Sequence, residues 1–205
     1  MKLIFFLFSL AALAQDERYF RKIYTGELKE FQGEAKEYKY VFSSPAYQLD
    51  LNDDGYFESI LISKKDNIDF LEVRDYEGRQ VFEHRLYAYG GDAHLYRLKK
   101  VKLSNHATAL ILFFYEGARH THQFEATARL YFLTLDDKKL DSLRLFYGPN
   151  YWHEFEKFRE TFWQRDLNVN VVDYNEDGTK EVSVTYNHIS RVYFYRGQGT
   201  WLNFK

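Results

Sequence analysis

A nine-residue pattern occurs twice in the chain, as Asp50-Leu51-Asn52-Asp53-Asp54-Gly55-Tyr56-Phe57-Glu58 and as Asp173-Tyr174-Asn175-Glu176-Asp177-Gly178-Thr179-Lys180-Glu181. Both copies carry oxygen-bearing side chains at positions 1, 3, 5 and 9 and glycine at position 6. Side chains at positions 1, 3 and 5 of a tight turn converge on one point, and glycine supplies the left-handed backbone that turns the chain sharply. Position 9 belongs to the element that follows, so an ion held by all four would fasten the turn to that element. The donors are hard oxygens, which predicts calcium, a cation that takes about six to eight of them. The expected ligands are Asp50, Asn52, Asp54 and Glu58 with the Tyr56 carbonyl, and Asp173, Asn175, Asp177 and Glu181 with the Thr179 carbonyl.

An EF-hand opens in the same way but requires a bidentate acid at position 12 and flanking helices. Position 12 is Leu61 in one copy and Val184 in the other, and strand-like alternation follows both. After Glu58 come two strand patterns, the turn Asp75-Tyr76-Glu77-Gly78 and a returning strand; after Glu181 come Val182–Tyr186, Arg191–Tyr195, a Gly-rich turn and Trp201–Phe204. The repeating unit is therefore a loop plus a β-meander, and repetition on this scale marks blades or arrays. The pattern D-x-[DN]-x-D-G-x-x-[DE] followed by a meander resembles the FG-GAP and VCBS calcium repeats of integrin α-chain propellers and bacterial surface proteins. That resemblance implies two calcium sites and a propeller-like fold. The chain lacks a Phe-Gly…Gly-Ala-Pro signature, and its middle third has no loop of this type. The expected fold is mainly β: a small or irregular propeller-like array of antiparallel meanders.

The N-terminus reads as a targeting segment over residues 1–14, with Lys2, an apolar run Leu3–Leu13 and the small-x-small site Ala12-Leu13-Ala14. That run is shorter than the ~20 residues a membrane span needs. No Cys follows the site, so a secreted or periplasmic protein is expected rather than a lipoprotein or a membrane-spanning one. Residues 15–37 form a charged segment, and 38–205 a single β-rich domain with repeats over about 47–88 and 168–205 and a degenerate middle over 94–148. The chain has no cysteine at all, so bound cations rather than disulfides are expected to tie its loops. With 28 basic and 30 acidic residues it lacks the concentrated positive charge that nucleic acid requires. Its 18 Tyr and 19 Phe suit pleated, half-buried surfaces better than helix bundles.

One segment departs from the β pattern. Trp152, Phe155, Phe158, Phe162 and Trp163 recur at spacings of three and four, predicting an amphipathic helix over 150–165 with Asn150 as its N-cap. Two further features carry alternative functions. His120 and His122, two apart on an extended strand, share a face and with Glu116 or Glu125 could hold zinc for a metal-dependent hydrolase. Tyr87, Tyr89 and Trp201 could stack on sugars in a carbohydrate- or surface-binding module, or pack between blades instead. Lys99, Lys100 and Lys102 read as a solvated strand face. The chain has no nucleophile elbow, no phosphate-binding Gly-rich loop and no thiol nucleophile. The reading that follows is a calcium-stabilised binding or structural protein with no catalytic residues assigned and a protein or glycan as its partner.

Overall fold

Short alternating segments fold into strands throughout a computed structural model of the chain, which describes residues 46–87, 93–119, 124–158 and 161–204. The targeting segment, the charged segment, Tyr89, His120 and His122 lie outside the described residues. Among the described residues, thirteen strands form three antiparallel meanders, within each of which strands consecutive in sequence pair. The first sheet contains β1 (Tyr47–Leu49), β2 (Glu58–Lys65), β3 (Ile68–Arg74) and β4 (Gln80–Arg85). The central sheet contains β5 (His94–Lys102), β6 (Ala107–Arg119), β7 (Glu125–Asp136), β8 (Arg144–Phe158) and β9 (Thr161–Asp166). The third contains β10 (Asn168–Val172), β11 (Glu181–Tyr186), β12 (Ile189–Tyr195) and β13 (Trp201–Phe204).

Turn chemistry sets the registers. Asp66 and Asn67 both take positive φ (51° and 61°) between the paired residues Lys65 and Ile68, a two-residue connection whose twist matches the strands it joins. At the β3–β4 turn the Gly78 N–H donates to the Asp75 carbonyl at 2.9 Å, and Asp75 and Arg79 close the loop above it.

The central sheet is covered on both faces. On β6, Ala109, Ile111 and Phe113 pack toward β11–β13, whereas Leu110, Leu112 and Phe114 pack toward β2–β4. On β7, Ala126, Ala128, Leu130 and Phe132 take the first direction and Tyr131, Leu133 and Leu135 the second. Burial on both sides is why these two strands read as near-continuous apolar runs rather than as alternation. Phe132 fixes the central sheet to the third, with its ring centroid 4.7 Å from that of Trp201 and 5.7 Å from that of Tyr193. Trp201 thus packs between sheets, whereas Tyr87 stays exposed beside Tyr147.

The helix expected over 150–165 does not form. That segment is the hairpin of β8 and β9. Aromatics spaced three and four apart also satisfy a hairpin, because Phe155 lies across from Trp163 with ring centroids 5.0 Å apart. Pairing with β7 decides the outcome. Asn150 sits opposite Arg129 instead of capping a helix, and Trp152, opposite Ala128, is fully buried where only a small neighbour leaves room. Tertiary burial of aromatics in a sheet here outweighs the local helical periodicity. Leu140–Ser142 form one turn of 3-10 helix, and β8 begins at Arg144.

Candidate metal centre

The two repeated loops occupy the same place in the two outer sheets. Each joins the first strand of its meander to the second, closing on the pairs Leu49–Glu58 and Val172–Glu181. Their backbones agree residue by residue at the strained points. Position 4 takes φ of 58° in both copies (Asp53, Glu176), and the glycines at position 6 take 90° and 86°. A non-glycine residue in the left-handed region is uncommon, so its recurrence at one loop position indicates a conformation specified by the shared pattern.

The polar side chains of the pattern fold inward. Asp50 Oδ2 accepts from the Gly55 N–H and Asp173 Oδ2 from the Gly178 N–H, each at 2.9 Å. At position 3, the Asn52 and Asn175 amides donate to Oδ2 of Asp54 and Asp177 at 2.8 and 2.9 Å, while their carbonyl oxygens accept the position-5 N–H at 3.2 Å. The N–H of position 7 donates to the position-5 carboxylate at 2.8 Å in both loops, from Tyr56 to Asp54 and from Thr179 to Asp177. Position 9 is buried at the head of its strand. Glu58 Oε2 accepts the Leu51 N–H and Glu181 Oε2 the Tyr174 N–H, both at 2.7 Å. These N–H groups are the orphans of a tight turn, and each is satisfied by a pattern carboxylate or amide.

Two carboxylate oxygens are left over. Glu58 Oε1 and Asp173 Oδ1 are buried without a hydrogen-bond partner. A buried acceptor left unpaired carries a desolvation cost of about 1–3 kcal/mol, more when it is charged, so each oxygen calls for a counter-charge. Burial, followed by the Asp54 and Asp50 charges, pushes the Glu58 carboxyl above its usual range. The Asp177 carboxyl is held below the usual range, first by the Thr179 N–H and then by the Asn175 amide. In the second loop one oxygen each from Asp173, Asp177 and Glu181 lies within 4.8 Å of the others, a spacing that fits ligands around one hard cation.

Sequence reasoning missed what distinguishes the first loop. Lys100, on β5 of the central sheet, donates through Nζ to the Asp50 carbonyl and, at 2.6 Å, to Asp53 Oδ1. Lys138 adds a second ion pair to Asp53 at 3.3 Å, and Lys100 is the leading cause of the lowered Asp53 pKa. A protein ammonium thus already partly compensates this loop. The second loop touches the central sheet through the backbone instead, the Lys180 N–H donating to the Leu103 carbonyl at 2.9 Å. Alternation carried the signal: Lys100 shares a face with Leu98, which packs toward the first sheet.

The acids named beside His120 and His122 have other partners. Glu116 is buried and accepts from Thr127 Oγ1 (2.8 Å) and from the Arg129 guanidinium. Glu125 lies 3.2 Å from His153 Nε2. No family model matches the chain, and neither a curated protein nor a solved structure matches it.

Proposed function

We propose that the protein is a calcium-stabilised β-repeat protein with a binding or structural role, in which two calcium ions fasten the first turn of each outer meander to its sheet. The observation that carries this reading is the matched pair of loops, each with its acids turned inward and with a buried carboxylate oxygen lacking any partner. The ligands are Asp50, Asn52, Asp54, Glu58 and the Tyr56 carbonyl in one loop, and Asp173, Asn175, Asp177, Glu181 and the Thr179 carbonyl in the other. Three carboxylates per site nearly balance a divalent charge. Three meanders stacked face to face are the packing that neighbouring blades of a propeller make, which supports a propeller-like, open array. The targeting pattern in the sequence of residues 1–14 supports a location outside the cytoplasm, in the periplasm or beyond the cell.

An ion that binds only the folded state stabilises it by RT ln(1 + [L]/Kd), about 2.7 kcal/mol per site at a hundredfold excess over Kd. Melting the full chain in EDTA and then in excess calcium tests the reading. The midpoint falls in chelator and returns with calcium. A midpoint that is the same in both sinks it.

A further inference from the structure

A second candidate site lies away from the cation loops, at the edge of the central sheet. Among the described residues β9 pairs only with Trp152–Phe158, so the preceding half of β8 has no strand on its outer side. Between that edge and the third sheet lies an open cleft of about 720 Å³. This lies within the ~300–1,000 Å³ range of small-molecule sites, which are apolar with a few converging polar groups. Its lining includes the aromatic residues Phe146, which packs toward the third sheet, and Tyr186.

The charges around the cavity are unbalanced. Arg129 is neutralised by Glu116 and donates through Nη1 to the Gly148 carbonyl at 3.0 Å, and Glu125 is engaged by His153. Two guanidinium groups remain on opposite walls, Arg165 on β9 and Arg191 on β12, both exposed. Arg165 lies over the Trp163 ring at 5.2 Å, and among the described residues neither arginine pairs with a carboxylate. Trp152 also lines the cavity, and its fully buried indole Nε1–H has no acceptor. A buried donor without a partner and two guanidinium groups that no carboxylate pairs with, around one cleft, call for a ligand that brings both negative charge and acceptor oxygens.

We propose that this cleft binds a small organic anion, a carboxylate carried on a six-membered ring. Arg165 and Arg191 draw in the carboxylate, the Trp152 N–H meets a ligand oxygen, and the ring lies against Phe146 and Tyr186. A bare inorganic anion leaves most of the volume and both aromatic walls unused. The site gives content to the binding role proposed above but uses none of the cation-loop residues, so either idea can fail alone.

Titration of the full chain with glucuronate and with benzoate, followed by calorimetry and tryptophan fluorescence, tests the proposal and separates a sugar acid from an aromatic acid. One of the two binds with one-to-one stoichiometry. Arg165→Gln and Arg191→Gln each weaken it roughly tenfold, as expected for loss of one charge-assisted hydrogen bond. Both arginines are exposed, so these variants keep the fold. Failure of both compounds at millimolar concentration overturns the proposal, as does binding that neither substitution changes. Repeating the titration in EDTA separates the two sites: anion binding that persists in a protein whose melting ignores calcium keeps this site and removes the cation reading.

Discussion

Lys100 makes the two repeated loops unequal. Its ammonium group reaches the Asp50 carbonyl and Asp53 in the first loop, while the second loop has an acidic cluster with ligand-like spacing. A positive charge near a divalent ion repels it, by about 1 kcal/mol at ~8 Å in high dielectric and by more at closer range or where water is partly excluded. The second loop is therefore expected to bind calcium more tightly. Replacing Lys100 with Met keeps the aliphatic stem and removes the charge, and should tighten the weaker site about fivefold to tenfold. Two-site calorimetry reads this directly, and an isotherm the same as that of the unaltered protein contradicts it. At this scale the turn itself was legible, because the residues that shape it, with the left-handed position 4 and the glycine at position 6, lie within nine consecutive positions. Lys100 was harder to find, since it comes from another sheet and only its alternation with Leu98 hinted at the face it occupies.

At the scale of the element, the first meander is held by more than its loop. Glu72, buried in the middle of β3, accepts from the Ser63 hydroxyl on β2 and pairs with Arg74 at 2.9 Å and Lys65 at 3.3 Å, while Lys65 also bridges to Glu83 on β4. The Ser63 hydrogen bond, then Arg74 and Lys65, hold the Glu72 carboxyl below its ordinary range against the opposing effect of burial. A carboxyl whose folded-state pKa is depressed stabilises the fold above its unfolded pKa of ~4.3 and loses that contribution as pH falls through the lower folded value. Glu72→Gln should therefore cost about 1–3 kcal/mol near neutrality and much less at strongly acid pH. Melting curves across that range check it, and a cost independent of pH contradicts it. The same scale shows why the β8–β9 hairpin was misread. Periodicity over sixteen residues cannot tell a helix face from two strands whose aromatics meet across a turn, as Phe155 and Trp163 do. What decides between them is the open edge of β7, which lies elsewhere in the chain.

For the whole molecule, the mainly β character and the meander units followed from alternation and turn residues, whereas the stacking of three sheets did not. Which face of β6 meets which outer sheet depends on partners dozens of positions away, and a strand apolar on both sides gives no hint of order. The structure places the two loops on the two outer layers, at equivalent hairpins, with the most apolar strands between them. Calcium at both loops would then brace the molecule from its two outer sheets, a role that disulfides cannot take in a chain without cysteine. The most direct measurement is the number of calcium ions bound per chain, by equilibrium dialysis with elemental analysis of the unaltered protein and of Asp54→Ala and Asp177→Ala. Two ions per chain are expected, and one in each variant. No bound calcium, or a stoichiometry that neither substitution lowers, would contradict it.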